Sequence, residues 1–220
     1  MRKSERDMMP TQFPGVTQLC LGQGTPVWLC DADVLSEPGA ETEAVQALER
    51  CGLQERVATA DRYKRAPVRH LSLAAGLALA AALSAEGIRS AHFSLATGPC
   101  GKPFLPDYPH IHFSLSHSGH YGLCALGREE IGADIQRLHH CDLPLAERFF
   151  HPAETAALRQ NPTDRYFTTL WTRKEAWLKW RGVGLTEEMS SFSVLDPVAL
   201  HCRFDEGDLD DHLICVCRAP

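Results

Sequence analysis

One acidic residue falls in an otherwise apolar run, and a second lies one turn from a lysine on a predicted amphipathic helix. Asp134 stands in the run IGADIQ, which predicts a buried strand, and an acid there is costly unless a cationic group meets it. Glu175 and Lys179 lie one turn apart on a predicted helix and border its apolar face, which carries Trp171 and Leu178. One interpretation is a turn acid and a surface ion pair. The other is that Asp134 and Glu175 ligate a hard cation such as Mg2+ while Lys179 binds an anion.

A second group of residues has the chemistry of a polyphosphate site. Lys102 follows a glycine and precedes a proline in GPCGKPFLP, so its charge is presented from a stiff loop. Ser116 and His117 fall in the tight turn LSHSG. The stretch ERVATADRYKRAPVRH adds positive charge at Arg56, Arg62, Lys64, Arg65 and Arg69. Each piece alone is an ordinary turn, hairpin loop or basic face, but together they predict phosphate binding.

The elements that must position these residues alternate between helices and strands. Helices are predicted in ETEAVQALERCGL, LSLAAGLALAAALSAEG, PLAERFFHPAETAALRQ and RYFTTLWTRKEAWLKWRG. Strands are predicted in VWLCDADVL, HIHFSLSHSG, YGLCAL, IGADIQRL, SFSVLD, HCRFDEG and HLICVCRA. This order predicts an α+β fold with an N-terminal half at 16–128, a C-terminal half at 129–220 and a flexible leader at 1–15.

The composition excludes several classes of protein. Its 44% apolar and 23% charged residues, over 220 residues, are ordinary for a soluble globular protein. The formal net charge of −6 argues against a general nucleic-acid binder. No membrane span is expected, and the apolar run at Leu71–Leu83 predicts a buried helix. Nine cysteines, an odd number with no secretory signal, indicate reduced thiols in the cytoplasm.

The motifs occur in the order found in the 4'-phosphopantetheinyl transferases of the Sfp type. GKPFLP at 101–106 resembles the Gly-Lys-Pro loop of that family, and FSLSHSG at 113–119 resembles its Ser-His-Ser turn. IGADIQ at 131–136 resembles the Gly-x-Asp-x-Glu strand, and RFFHPAE at 148–154 the Arg-Phe-Phe segment. WTRKEAWLKWRGVGL at 171–185 resembles the Trp-x-x-Lys-Glu-x-x-x-Lys helix.

This resemblance covers about residues 60–195 and implies both a fold and a reaction. The implied fold has two similar α/β halves in a pseudo-twofold arrangement, with the active site in the cleft between them. The implied reaction moves the 4'-phosphopantetheine arm of coenzyme A to a serine hydroxyl of an apo acyl or peptidyl carrier protein, and releases adenosine 3',5'-bisphosphate. The expected metal is Mg2+, or Mn2+, and the expected enzyme is a cytoplasmic monomer.

The resemblance also assigns roles by position to three catalytic residues. Asp134 and Glu175 are expected to bind the metal ion on the pyrophosphate. Lys179 is expected to bind coenzyme A and meet the phosphate charge that grows as the bond breaks. Glu175, directly or through a metal-bound water, is the candidate general base for the carrier serine.

Coenzyme A is expected to be held by residues of the N-terminal half. Lys102, Ser116 and His117 are predicted to contact its phosphates, with the 3'-phosphate as the partner of His117. The family usually places an arginine close before the following helix, and Arg65 and Arg69 are the candidates here.

The chain departs from the family at Gln136, where the strand of Asp134 normally carries a second acid. Gln136 shares the face of Asp134 and remains a predicted metal ligand, because its amide oxygen can bind a cation without adding charge. We therefore expect weaker metal binding, or a water in that position, and retained activity.

Two other functions stay open at this point. One is a non-catalytic homologue that binds coenzyme A or a carrier protein, and the other is a metal-dependent hydrolase of nucleotide pyrophosphates. The pathway, whether fatty acid, polyketide or nonribosomal peptide synthesis, is not determined, and neither nucleic acid nor membrane is expected as a partner. Trp177, Trp180 and Arg181 are the candidate surface for docking a carrier protein, with core packing of at least one of the tryptophans as the alternative.

Overall fold

The computed structural model describes residues 9–10, 13–22, 24–88, 94–184 and 189–220. Groups of strands alternate with groups of helices along these ranges. The strands are β1 (Met9–Pro10), β2 (Val16–Leu21), β3 (Thr25–Asp31), β4 (Ala96–Thr97), β5 (Pro103–Phe104), β6 (His112–Ser118), β7 (Tyr121–Gly127), β8 (Ile131–Arg137), β9 (Arg203–Leu209) and β10 (His212–Arg218). The helices are α1 (Ala40–Arg50), α2 (Gln54–Ala60), α3 (Ala66–Ala85), α4 (Leu143–Phe149), α5 (Pro152–Gln160) and α6 (Asp164–Arg181), with short 3-10 helices at Ala32–Ser36 and Met189–Ser191.

The described strands form three antiparallel sheets. The largest has five strands in the order β1-β2-β3-β7-β6, the second has the order β8-β10-β9, and β4 pairs with β5. In the second sheet β8 and β10 are in register, with Asp134 opposite Cys215. Helices pack against these sheets, so the α+β class expected from the sequence is confirmed. Strands β6 and β8 are both sheet edges.

The apolar helix α3 packs against the five-stranded sheet and forms part of the N-terminal core. By length and composition alone it could cross a membrane, since it has 20 residues and a mean hydropathy of 1.4 over its most apolar window. Its central residues are buried inside the protein, and Leu77 and Leu79 are both 0% exposed. The sequence prediction of a buried helix is therefore confirmed.

Most of the predicted leader lies outside the described residues, which leave out 1–8 and 11–12. Of the rest, Met9 and Pro10 pair with Gln18 and Thr17 of β2. Phe13 is buried and contributes to the N-terminal core. The flexibility predicted for residues 1–15 stays a prediction.

The strand predicted in SFSVLD, at 191–196, is wrong. The segment begins in a 3-10 helix and contains no strand. The carbonyl oxygen of Phe192 accepts a hydrogen bond of 2.7 Å from Lys174 Nζ, and the amide of Val194 donates one of 2.7 Å to Glu154 Oε1. Buried side chains thus satisfy the backbone groups that a strand would have paired.

Those bonds belong to an ion pair that is shielded completely from solvent. Lys174 Nζ of α6 lies 2.8 Å from Glu154 Oε2 of α5, and both side chains are 0% exposed. Glu154 also accepts a hydrogen bond from the amide of His151 in a capping box, and the ammonium lies 4.2 Å from the ring centre of Phe192. Because Lys174 directly precedes Glu175, this anchor fixes the rotation of α6 about its axis at the predicted catalytic glutamate.

Two glycines allow the long helices to touch the strands beneath them. A Cβ atom on Gly132 of β8 would overlap the carbonyl oxygen of Ala176 and the amide nitrogen of Trp180 in α6. A Cβ atom on Gly122 of β7 would overlap the backbone of α3 at Ala74 and Ala75. Gly132 therefore fixes the distance between β8, which carries Asp134, and the turn of α6 that carries Glu175 and Lys179.

Replacing Gly132 by alanine should lower the free energy of unfolding by about 1–3 kcal/mol or more, because a rigid helix backbone has to move to admit one methyl group. The value is measured by chemical unfolding of the purified protein. Gly127 in β7 is the matched control, since a Cβ there would lie 3.6 Å from its nearest neighbour and would make ordinary contacts. Equal stability of Gly132→Ala and Gly127→Ala would contradict the role given to Gly132.

Candidate active site

The carboxylate of Asp134 lies at the centre of the predicted site and is almost wholly buried. The residue is 1% exposed. Its Oδ1 accepts hydrogen bonds from Ser116 Oγ at 2.6 Å and from Lys179 Nζ at 2.7 Å. Lys179 Nζ also donates to Ser116 Oγ at 2.9 Å, so the three groups close a triangle. The cost of burying this acid is therefore offset by a charge-assisted bond and a hydroxyl bond.

Gln136 shares the face of Asp134, as the strand pattern predicted. Its Nε2 donates a hydrogen bond of 3.0 Å to Asp134 Oδ2. The amide thus supports the carboxylate from a second side, and its own oxygen is the atom left for a cation. A glutamate here would bring a second negative charge to the same position.

Glu175 is the acid of the site that lacks hydrogen-bond support. Among the described residues none donates a hydrogen bond to its carboxylate, which lines the same cavity as Asp134. Burial, followed by the charge of Asp134, raises the pKa of Glu175, while Lys179 acts in the opposite direction. The site therefore holds two carboxylates against one ammonium group, and is short of positive charge.

These oxygen donors fit Mg2+ better than a metal that needs a closed ligand set. The described residues contain no cluster of three or more His, Cys, Asp or Glu side chains able to hold a metal ion. Mg2+ keeps several waters and needs only one or two carboxylates when a substrate phosphate supplies further oxygens. Asp134 and Glu175, with the amide oxygen of Gln136, match that requirement, and a cation between them would relieve the strain on Glu175.

A cavity of about 840 Å3 opens from this acidic centre. One wall is apolar and is formed by Leu115, Leu145, Phe167 and Trp171. Apart from Ala75, the remaining lining residues carry polar groups, and they include the Asp134 centre. A cavity with an apolar wall and a few converging charged groups is typical of small-molecule sites.

Arg56 lines this cavity, although the sequence favoured other arginines. Its Nε atom is buried without a hydrogen-bond partner, and its Nη2 makes one long bond of 3.3 Å to the carbonyl oxygen of Ser72. No carboxylate within the described ranges forms an ion pair with it, and burial lowers its pKa. Thr59 and Tyr63 line the cavity as well. Thr59 lies three residues after Arg56 on α2, a spacing that puts the two on one helical face, whereas Tyr63 follows the end of the helix at Ala60.

His117 reaches the same cavity and lies near Arg56. The residue is exposed at the cavity surface, but partial burial of its ring lowers the pKa of His117. The positive charges of Lys179 and Arg56 lower this pKa further. The pKa of His117 is thus sensitive to positive charge on both sides. An anion bound beside Arg56 and His117 would give Arg56 the negative partner that it lacks among the described residues.

The other predicted phosphate contacts do not line this cavity. Arg69 pairs with Glu41 at 2.6 and 2.9 Å, and its hydrogen bond to Glu41 is the main cause that lowers the pKa of that acid to about 2. Arg65 is exposed at the N-cap of α3. Lys102 Nζ lies 2.6 Å from Glu130 Oε2 and 3.0 Å from the carbonyl oxygen of Ile131. Binding of coenzyme A by these residues stays a prediction.

Trp177 is a core residue, so its predicted part in docking is wrong. It is 6% exposed, its ring centre lies 4.0 Å from that of Phe192, and the Arg181 guanidinium lies 5.6 Å from its centre. Trp180 is half-buried where α6 crosses Gly132. Core packing of at least one tryptophan was the alternative interpretation, and docking of a carrier protein at Trp180 and Arg181 stays a prediction.

Comparison with known proteins identifies the family. Residues 130–216 match the family model described as the 4'-phosphopantetheinyl transferase superfamily. The matched range contains Asp134, Gln136, Glu175 and Lys179. The chain belongs to this superfamily.

Curated relatives in the 4'-phosphopantetheinyl transferase superfamily support the same assignment. A 4'-phosphopantetheinyl transferase of Bacillus subtilis is 38% identical over 117 residues, which are 52% of this chain and 52% of the relative. The Bacillus subtilis transferase Sfp is 40% identical over 102 residues, or 45% and 46% of the two chains. A putative 4'-phosphopantetheinyl transferase of Synechocystis is 36% identical over 171 residues, or 73% and 65%. The chain spans about half the length of the two Bacillus relatives that it matches.

Replacing Glu175 by glutamine should stabilise the metal-free protein at neutral pH. A carboxyl whose pKa is raised on folding binds more protons in the folded than in the unfolded state, so stability falls as pH rises from its ordinary pKa of 4.5 through the raised value. Glutamine has no such charge. Thermal unfolding in a chelating buffer should therefore show a higher Tm for Glu175→Gln at pH 7, and a gain that disappears toward pH 4.5.

The matched control is Glu147→Gln on α4, because Glu147 is exposed and paired with Arg159. The difference in Tm between Glu147→Gln and the wild type should not rise between pH 4.5 and pH 7. A Glu175→Gln variant with no gain at pH 7 would show that Glu175 is not electrostatically strained.

Proposed function

We propose that the protein is a 4'-phosphopantetheinyl transferase of the holo-[carrier protein] synthase type. In this reaction the arm of coenzyme A passes to a serine hydroxyl of an apo acyl or peptidyl carrier protein, with Mg2+ dependence. The observation that carries the proposal is the buried triangle of Asp134, Ser116 and Lys179, with Glu175 facing the same cavity. Membership of the superfamily supports it independently.

The mechanism follows from the charges around the cavity. Asp134 and Glu175, with the amide oxygen of Gln136, would hold a Mg2+ ion, which would supply positive charge for the pyrophosphate of coenzyme A. Lys179 directs its ammonium into the same space and neutralises charge that develops on the leaving phosphate. Its bond to Asp134 holds Nζ in place before the substrate arrives.

Glu175 is proposed to accept the proton of the carrier serine. The serine oxygen forms a bond to the phosphorus that carries the pantetheine arm, and the bond from that phosphorus to the bridging oxygen breaks. The electron pair leaves with adenosine 3',5'-bisphosphate, and the serine proton goes to Glu175 Oε. Glu175 lines the cavity and receives no hydrogen bond from the described residues, so its carboxylate oxygens are available to accept this proton.

Arg56 and His117 are proposed to bind the 3'-phosphate of coenzyme A. Arg56 is half-buried and has no carboxylate partner among the described residues, and its charge is close enough to lower the pKa of His117. An anion at this end of the cavity would give both groups a partner. The aliphatic arm would then lie along the apolar wall that includes Phe167 and Trp171.

The proposal includes the arrangement of two similar halves, 16–128 and 129–220, about a pseudo-twofold axis. One observation supports it. In each half a long helix crosses a sheet strand at a glycine, α3 at Gly122 and α6 at Gly132, and the helix backbone occupies the space of a side chain.

We also propose a cytoplasmic monomer that binds its carrier protein transiently. All nine cysteines are free thiols, which suits a reducing compartment. The acidic net charge of −6 favours docking through local contacts over general attraction to an acidic carrier.

Incubation of the protein with coenzyme A, Mg2+ and an apo carrier protein should add the mass of the arm to the carrier, read by mass spectrometry across a panel of carriers. Glu175→Gln should lower the rate by about a hundredfold or more, because it removes the base and one metal ligand. Glu147→Gln should transfer at the wild-type rate.

Three outcomes would contradict the proposal. No mass shift on any carrier, with coenzyme A still bound, would leave the non-catalytic homologue as the better description. Release of adenosine 3',5'-bisphosphate without a carrier would indicate a pyrophosphate hydrolase. Full activity of Glu175→Gln would refute the role of Glu175.

Arg56→Met should raise the KM for coenzyme A by about tenfold or more, since it removes a charged hydrogen-bond donor from the phosphate. The same substitution should change the KM for dephospho-coenzyme A, which lacks the 3'-phosphate, far less. Arg65→Met is the control, because Arg65 is exposed outside the cavity lining. A larger effect at Arg65 than at Arg56 would restore the assignment favoured by the sequence.

A further inference from the structure

Strand β8 has one edge that its own sheet does not use. Among the described strands, β8 pairs only with β10 and β6 pairs only with β7, so the two edges face each other without a backbone ladder. Alternate residues of β8 direct their backbone groups toward this open edge. The backbone carbonyl of Ile131 and the backbone amides of Ala133 and Arg137 form hydrogen bonds with side chains of the N-terminal half.

Two serines of β6 supply side-chain bonds to the backbone of this edge. The amide of Ala133 donates to Ser114 Oγ at 2.9 Å, and the amide of Arg137 donates to Ser118 Oγ at 3.0 Å. Ser116, between them on the same strand face, donates to the carboxylate of Asp134. The joint between the two sheets is therefore built from hydroxyl groups at every second position of β6.

Ser114 is the most buried of these three serines. Ser114 is 3% exposed and Ala133 is 0% exposed, so water cannot replace the hydroxyl if it is removed. The amide of Ala133 would then remain as a buried donor without an acceptor. Ala133 is also the residue directly before Asp134, and any movement of its backbone moves that carboxylate.

Asp134 tolerates little movement, because its Oδ1 must meet donors from two other elements. Ser116 Oγ comes from β6 at 2.6 Å and Lys179 Nζ comes from α6 at 2.7 Å. A shift of β8 along β6 would lengthen at least one of these bonds. Ser118 holds the far end of the strand, three residues past Asp134, near the protein surface.

We propose that Ser114 is a positioning residue for Asp134: its hydroxyl anchors the Ala133 backbone so that the carboxylate is fixed for binding a divalent cation. This inference deepens the proposed function and rests on the metal role given there to Asp134. Ser114 itself touches neither the substrate nor the cation in this assignment, and it acts through β8.

The test compares divalent-cation affinity in matched variants of the full chain. Mn2+ is the probe. Its binding in the presence of coenzyme A is followed by electron paramagnetic resonance. Ser114→Val and Ser114→Thr have nearly the same shape and differ in the hydroxyl, which separates hydrogen bonding from packing. Ser118→Ala removes an equivalent bond to the backbone of β8 away from Asp134.

Ser114→Val and Ser114→Ala should raise the Kd for Mn2+ by about tenfold, which is the size expected for loss of a group that orients a metal ligand. The Kd of Ser114→Thr and of Ser118→Ala should stay within about twofold of the wild-type value. In the transfer assay Ser114→Ala should need more Mg2+ for half-maximal rate and keep its kcat at saturating Mg2+. A purely structural defect would lower Tm and the active fraction without changing the Mg2+ requirement.

The inference is overturned if Ser114→Val and Ser114→Thr bind Mn2+ equally, or if Ser118→Ala weakens binding as much as Ser114→Ala. These outcomes differ from a failure of the proposed function. A wild-type protein that binds Mn2+ but transfers no arm would refute the transferase, and the titrations would still decide the role of Ser114.

Discussion

The charge of Asp134 has to be neutralised inside the protein, and the geometry around the cavity follows from that requirement. With 1% of the residue exposed, water contributes little, so the partners must come from neighbouring elements. They are supplied by an edge strand of one sheet, through Ser116, and by the long helix of the C-terminal half, through Lys179. One carboxylate thereby ties together β6, β8 and α6.

The same requirement explains why close packing matters at Gly132. Hydrogen bonds of less than 3 Å between a strand and the end of a lysine side chain need the helix and the strand at a fixed spacing. The absence of a side chain at Gly132 lets the backbone of α6 rest directly on β8. Packing and electrostatics are therefore satisfied by one arrangement, in which Glu175 is brought next to Asp134 although their charges repel.

Local patterns in the sequence predicted α1 and α3 to α6, most strands and the central acids, but they missed α2. The sequence assigned Asp134, Glu175 and Lys179 to one site, but it predicted a metal ion as the partner of Asp134 and did not predict the direct bond of 2.7 Å from Lys179 Nζ. The sequence did not reveal that Lys102 binds Glu130, because this contact joins a loop to a residue 28 positions away. Nor did it separate Arg56 from the nearby arginines, since that choice depends on which face of α2 is turned inward. Periodicity predicted a strand in 191–196 because it cannot detect that Lys174 and Glu154 hold the backbone groups.

The pair of Lys174 and Glu154 has a consequence for how the C-terminal core opens. Either charge alone in an interior with 0% exposure would be strongly unfavourable, so neither can remain in place when the other leaves. The capping box of α5, the middle of α6 and the backbone near Val194 all depend on this pair. They form one cooperative unit in the sense of native-state hydrogen exchange. The amide protons of His151 and Val194, on separate segments, would exchange with solvent in a single shared opening event.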